Sequence, residues 1–353
     1  MAKKTVMFFL CVLCALCSLI CAPFIDGDLV FNYDEELCGY VVYGVNKSVT
    51  NIEIPAEING YKVKGIGNAA FKGYSNLTSV VIPETLKYIY DEAFNECSRL
   101  KGVVLPDGLV YLGTRAFRNC SAITEITIPD TVTYLGDLVF CNCTELKQIV
   151  IPDSVEEMGG AVFYNCSSLE SAKLSNKVKA ISSWTNSKNE VLGCFEACGK
   201  LSTVIIPDSV TYIGIDSFYN CYALTYVTFP DSELTIDGWA FWNADGIKEI
   251  SLANVKSIGC KAFWSCDGLV SFTVESGLEA IGDNAFSYSY KLRSLSFPGT
   301  ITSIGEYAFR DCSAVSVLSF GSTKQDWDNV KKANNIMSGV GQYTLVCTDG
   351  VFH

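Results

Sequence analysis

The chain is 353 residues long and 49% hydrophobic, with a net charge of −12 and a single histidine, His353. An acidic chain with scattered charges is repelled by phosphate backbones, so nucleic acid is not expected as a partner. A histidine at the last position leaves a Cys–His or Ser–His mechanism without a positioned base, and neither a phosphate-cradling glycine loop nor an HExxH pair is present, so the expectation is a non-enzyme with no cofactor.

Residues 1–22, MAKKTVMFFLCVLCALCSLICA, place two lysines before a continuous apolar run that starts at Val6. This is the pattern of a secretory signal peptide. The run to Ile25 is about the length of a membrane span, so an uncleaved signal anchor is the alternative. A lipid-modified Cys21 is a third reading, disfavoured by bulky Ile20 where a small residue is usual. With a signal or an anchor the lysines stay inside and the rest faces out. A secreted or cell-surface location is expected, with membrane contact only through this segment if it is uncleaved.

Residues 23–53 contain two strand-like runs, 29–31 and 40–43, and are read as an N-terminal cap. From 54 to 321 the chain repeats. Phenylalanine serves as ruler: Phe71, Phe94, Phe117, Phe140, Phe163, Phe195, Phe218, Phe241, Phe263, Phe286 and Phe309, eleven copies spaced by 23 apart from one interval of 32 and one of 22. Positions 6, 9 and 11 after each Phe are apolar throughout, as in Ile123, Ile126 and Ile128. Positions 9 and 11 share one face of a short strand, and the Pro that often follows, such as Pro129, ends it. A second short strand, such as residues 132–135, comes next. A glycine after it (Gly113, Gly136, Gly159, Gly214, Gly259, Gly282, Gly305) suits a corner with unusual backbone angles. The Ala-Phe step reads as one helical or 3₁₀ turn.

A single coil of this kind cannot bury its apolar side, but stacked coils share one core. The period lies in the leucine-rich-repeat band. The expected fold is therefore a leucine-rich-repeat solenoid: β-rich, with short helical or 3₁₀ turns, eleven stacked coils of about 23 residues forming a parallel β ladder, capped at both ends. The first coil carries an extension around Asn59-Gly60, a hairpin-turn dipeptide. Nine residues are inserted between Ile181 and Phe195. The stretch is polar with one tryptophan, Trp184, and reads as a protruding loop, with folding back onto the coils as the alternative. After Phe320, residues 322–353 read as a C-terminal cap: Thr323 capping a helix to about Met337, with Trp327, Val330, Ala333 and Met337 on one side, then a strand near 343–346.

Cysteine invites two chemistries. Eight of the seventeen stand three residues after a ruler Phe: Cys97, Cys120, Cys143, Cys166, Cys198, Cys221, Cys266 and Cys312, with Ala244 and Ser289 in two other copies. Ladder neighbours have Cβ atoms about one coil apart, roughly 4.8 Å, too far for a disulfide. A free, buried thiol ladder is expected. Cys141-x-Cys143 lacks a second pair at zinc-finger spacing, so no metal site is expected. Asn46, Asn76, Asn119, Asn142 and Asn165 sit in glycosylation-type triplets, three of which arise from the repeat itself.

Contact candidates are aromatic. Tyr88, Tyr111 and Tyr134 precede the inward residue of the second strand in three successive coils, and Tyr219, Trp242 and Trp264 follow the ruler Phe in three others. Such stripes fit a protein or lie against sugar rings, or only brace neighbouring coils. The outer face of the first strand, with pairs such as Gln148/Val150 and Thr203/Ile205, reads as flat, small and weakly polar.

The unit IPDSVTYIGIDSFYNCYALTYVTFP, residues 206–230, resembles the BspA-like leucine-rich repeat, and the resemblance runs from Ile54 to Phe320. It implies a surface-exposed or secreted protein of adhesin type that binds a host or microbial protein, the alternatives being a glycan-binding module that uses the stacked surface aromatics or an inert surface spacer. It carries over no binding residues, because the motif marks core positions.

Overall fold

The computed structural model describes residues 24–45 and 49–353. The leader expected at 1–22 and the triplet at Asn46 lie outside the described residues. The chain winds as a β-solenoid of about 13 turns, two more than the ruler phenylalanines number. Two ladders of short parallel strands run its length. One is built from the strands after each ruler Phe, such as Gln148–Val150, Ser171–Lys173 and Thr203–Ile205, paired in register. The other joins the second strands, as in Tyr88–Ile89, Tyr111–Leu112 and Tyr134–Leu135.

Between the ladders lies a single continuous core. All eleven ruler phenylalanines are fully buried. Their rings form one unbroken stack with centroids 4.9–5.9 Å apart. Offset stacking of this kind adds to the burial of each ring. Beside the stack runs a second column. The Cys120 thiol donates to the Phe94 carbonyl at 3.1 Å, Cys143 to Phe117 at 3.3 Å, Cys166 to Phe140 at 3.1 Å and Cys312 to Phe286 at 2.9 Å. Where serine replaces cysteine, Ser289 makes the same bond to Phe263 at 3.0 Å. The column therefore takes a small side chain, and where that side chain can donate it bonds the carbonyl of the preceding ruler Phe, while Ala244 fills the place without a donor. All thirteen cysteines of the described residues are free thiols. Burial raises Cys97 and Cys312 to about 12 and pushes Cys143 and Cys166 well above the usual thiol range.

The segment around each ruler Phe is neither helical nor 3₁₀, contrary to the sequence expectation. Its amides alternate between two partners. Ala116, Arg118 and Cys120 close tight turns onto Gly113, Arg115 and Phe117, while Arg115, Phe117 and Asn119 donate to the next coil at Asp137, Val139 and Cys141. This alternation requires left-handed backbone at Arg115 (φ 57°) and Asn119 (φ 61°), and it recurs from coil to coil at non-glycine residues. A helix would turn those amides inward and lose the cross-coil bonds.

The corner glycines are also explained differently. None of Gly113, Gly136, Gly159, Gly214, Gly259, Gly282 and Gly305 has positive φ. Instead, the backbone of the preceding coil passes directly beneath most of them. A Cβ on Gly136 would lie 2.4 Å from the Thr114 nitrogen, and one on Gly305 2.5 Å from the Asp283 nitrogen. Glycine is needed for close approach rather than for dihedral freedom.

Both ends depart from the repeat. Strands β1 (Phe24–Asp26), β2 (Leu29–Asp34) and β3 (Gly39–Val45) form an antiparallel meander, and β3 then joins the second-strand ladder in parallel beside Tyr61–Ile66. The extension at Asn59-Gly60 is a two-residue hairpin between Glu57–Ile58 and the start of that strand, with φ of 52° and 81° at its two central residues. At the other end the helix α1 spans only Lys324–Asn329, with Thr323 and Asp326 forming a capping box. It does not reach Met337. Val330 leaves the helix, Lys331–Lys332 pairs with Ser303–Ile304, and Phe309 donates to the Ile336 carbonyl. Residues 331–347 thus complete one more degenerate coil, because ladder pairing captures the backbone before a second helical turn can form. No helix among the described residues is long and apolar enough to cross a membrane.

Candidate binding surfaces

Three surfaces of the solenoid carry side chains that the core does not use. The first is the tyrosine column on the second-strand ladder. Tyr111 and Tyr134 stack with centroids 5.0 Å apart and planes within 2°. Tyr88 does not reach Tyr111 directly. Tyr90 lies between them, 5.8 Å from Tyr88 and 6.0 Å from Tyr111. Tyr90 was missed because it stands two residues further on, where other coils carry a small or acidic residue. Burial, together with the carboxylate of Asp91, raises Tyr111 to about 12.

The second surface lies along the turns. Tyr219, Trp242 and Trp264 follow one another at 5.1 and 5.5 Å, and Tyr288 extends the row at 5.2 Å. Sequence spacing placed the first three together. Tyr288 escaped it because it stands one position later in its coil. Two cations sit against the row. The Lys261 ammonium lies 4.6 Å from the Trp264 centroid, within 6 Å of Trp239 and Trp242 as well, and the Arg310 guanidinium is 5.4 Å from Tyr288. Rings at such spacing cannot lie side by side, since their edges would overlap. Their planes are tilted by 34–40°, so each ring partly covers its neighbour's face and turns an edge, where the quadrupole is positive, outward.

Trp184 does not protrude. Trp184–Thr185 and Val191–Leu192 form a small antiparallel hairpin. The half-buried Trp184 packs with Leu192 and Tyr164 onto Leu138, Cys141 and Ala161, under the Arg115 guanidinium at 5.1 Å. Three apolar positions on the outer side of two coils needed cover, and the insertion supplies it. Beneath its exit strand lie two carboxyls that the sequence did not mark. Glu196 accepts from the Gly193 amide at 2.9 Å and is raised to about 7 by burial, and burial raises Asp216 to about 6.

The third surface is the outer face of the first-strand ladder. The sequence reading made it small and weakly polar, whereas Val104 is 83% exposed and Val81, Val150, Ile205 and Tyr226 are exposed beside it. Val81, Val104, Val150 and Ile205 stand ten residues after their ruler Phe, with Thr127 and Lys173 among them, and Tyr226 stands eight after its own, so only the stacked ladder brings them onto one face.

The remaining candidates have structural roles. Asn142 donates to the Asn119 side-chain oxygen at 2.7 Å and Asn165 to that of Asn142 at 2.9 Å, so their amide nitrogens brace left-handed turns instead of standing free as glycosylation acceptors. Among the described residues no group of three or more His, Cys, Asp or Glu side chains is gathered closely enough to hold a metal ion. His353 lies beside Thr344 at the edge of the last strands.

The model of the BspA type leucine rich repeat region matches residues 64–193 and 191–316. A leucine-rich repeat protein from Bacteroides ovatus is similar in structure over 90% of this chain and 92% of its own, with 24% identity and a TM-score of 0.58. The T. pallidum leucine rich repeat protein is similar over 57% of this chain and 90% of its own, with 26% identity and a TM-score of 0.51. No curated protein sequence matches the chain.

Proposed function

The chain belongs to the BspA-type leucine-rich repeat family, and from that premise we propose that it is an exported protein-binding solenoid that mediates adhesion at or beyond the cell surface. The observation that carries this reading is the row Tyr219, Trp242, Trp264 and Tyr288 with Lys261 and Arg310 against it. Tryptophan, tyrosine and arginine are the residues that dominate protein interfaces. Positive ring edges and two cations fit the carbonyl and carboxylate oxygens of a protein partner. A sugar needs an open ring face for its C–H groups, and these faces are partly covered by the tilted neighbouring ring or by Lys261, which argues against the glycan reading. The leader expected from residues 1–22 supports export.

The test is to present the secreted protein to arrays of extracellular-matrix proteins, microbial surface proteins and glycans. We expect protein binding that weakens at least about 30-fold in a Trp242→Ala, Trp264→Ala double variant. Binding to glycans alone, or protein binding that this variant leaves unchanged, refutes the proposal. Fractionation into medium, membrane and wall tests the location.

A further inference from the structure

Glu84, Asp107, Asp130, Asp153, Asp208 and Asp231 stand thirteen residues after their ruler Phe, just past the end of the first strand, and all are exposed. They form an acidic row along one border of the first-strand ladder. On the opposite border, where the same strands begin, exposed bases stand in three coils, Arg99 and Lys101, then Lys147 with Glu145 two residues before it, then Lys200, and the coils of Phe71, Phe117 and Phe218 are neutral there. Between the two borders lies an apolar column of Val81, Val104, Val150 and Ile205, interrupted by Thr127 and Lys173, with Tyr226 two places earlier in its own coil. Apolar column and acidic row share the same limits. Both begin in the coil of Phe71 and end in the coil of Phe218. In the next four coils the acidic position holds Asn254, Ser276, Gly299 and Ser322.

We propose that this face is the interface of a homodimer, the occupant being a second copy of the chain. The argument is one of symmetry. A two-fold axis parallel to the solenoid axis reverses the strand direction of the second copy and preserves the order of its coils. Each coil then faces its own counterpart, and the acidic border of each copy meets the basic border of the other along both edges at once. The apolar column closes on itself between them, as an isologous interface requires. The charges pair in three coils, while Glu84, Asp130 and Asp231 face a neutral border. Lys101 and Arg99 meet Asp107, Lys147 meets Asp153, and Lys200 meets Asp208. In the one coil of this stretch whose basic border carries only an acid, Glu170, the acidic position is the neutral Asn176. Within the described residues, none of Lys101, Lys147, Lys200, Asp107, Asp153 and Asp208 enters an ion pair in its own chain. Glu125 and Lys173 are the charges that fall inside the face of these coils.

Sedimentation velocity and small-angle scattering on the purified full chain test this. A side-by-side dimer that dissociates as salt is raised supports it. A monomer at every soluble concentration, or an end-to-end dimer, overturns it. Val104→Glu with Ile205→Glu replaces side chains that are already exposed, and should yield a monomer with an unchanged melting temperature. A dimer that survives this change overturns the proposal. Lys101→Asp with Lys147→Asp should weaken the dimer at least tenfold, and adding Asp107→Lys and Asp153→Lys should restore it. Failure of the four-fold variant to recover overturns the two-fold geometry.

Discussion

Gly136→Ala tests how tightly the coils stack. The added Cβ would lie 2.4 Å from the Thr114 nitrogen, 2.6 Å from the Gly113 carbonyl carbon and 2.7 Å from the Thr114 Cα. Ordinary contact begins near 3.4 Å, so the two backbones would have to separate by about 1 Å. None of the three atoms belongs to a side chain that could swing away. The Gly136 amide is itself bonded to the Leu112 carbonyl at 2.8 Å, and Arg115, next to Thr114, donates to Asp137 at 2.8 Å. Overpacking costs about 1–3 kcal/mol where side chains can adjust. Here ladder bonds must stretch as well, so we expect a loss of at least about 3 kcal/mol. The control lies in the same chain. A Cβ on Gly102 meets nothing within 4 Å and its φ is not positive, so Gly102→Ala should be neutral or stabilising by up to about 1 kcal/mol. Guanidinium unfolding of both variants beside the parent gives the comparison. Equal midpoints for the two would show that these glycines do not set the coil spacing.

Phe117→Ala removes a fully buried ring sandwiched between Phe94 at 5.2 Å and Phe140 at 5.9 Å and should cost about 3–5 kcal/mol; an unchanged unfolding curve would remove the phenylalanine column from the core. Maleimide labelling of the native protein should modify exposed Cys38 and Cys260 but none of the ladder cysteines until denaturant is added, and Cys143→Ser should remain folded because Ser289 already makes the equivalent bond; rapid native labelling of Cys143 would contradict this. The raised carboxyls of Glu196 and Asp216 bind protons more tightly in the folded chain than in the unfolded one. Their stabilising contribution is therefore complete below about pH 4 and fades as pH rises through about 6–7. Glu196→Gln should remove roughly 1–2 kcal/mol of that slope, after allowance for solvent screening; an unaltered pH dependence of stability would show that the carboxyl is not held in its buried, protonated form.

The repeat made the core legible. A column that must be apolar in every coil, such as Phe71 to Phe309, leaves a period that any reading of the residues finds, and the Cys column stands out for the same reason. Stacking between coils left no such trace in single positions. The corner glycines look like turn glycines until the neighbouring backbone is in place beneath Gly136. The left-handed turn residues Arg115, Leu138 and Ala161 look helical, because nothing in their identities says that alternate amides serve the next coil. Trp184 was ambiguous for a related reason. The apolar positions it covers, Leu138, Cys141 and Ala161, come from two coils and meet only in three dimensions. The surfaces were legible where a stripe occupies a fixed column, as in Tyr219, Trp242 and Trp264, and hidden where residues slip by a place, as Tyr90 and Tyr288 do.

The two ends of the solenoid have a consequence for its fate in solution. At the start, β2 runs antiparallel to the second-strand ladder that β3 joins, with β1 turned back beside it, and at the finish Gly350–Phe352 runs antiparallel to Thr344–Cys347 on the first-strand ladder. A row of near-identical coils ending on a bare parallel strand would offer the next molecule's first coil a seat as good as its own, and growth into a filament would have no natural stopping point. A reversed strand at each tip, β2 on one ladder and Gly350–Phe352 on the other, interrupts the parallel run, so an arriving coil cannot continue both ladders at once. The stack stays finite because its last strands refuse to be copied.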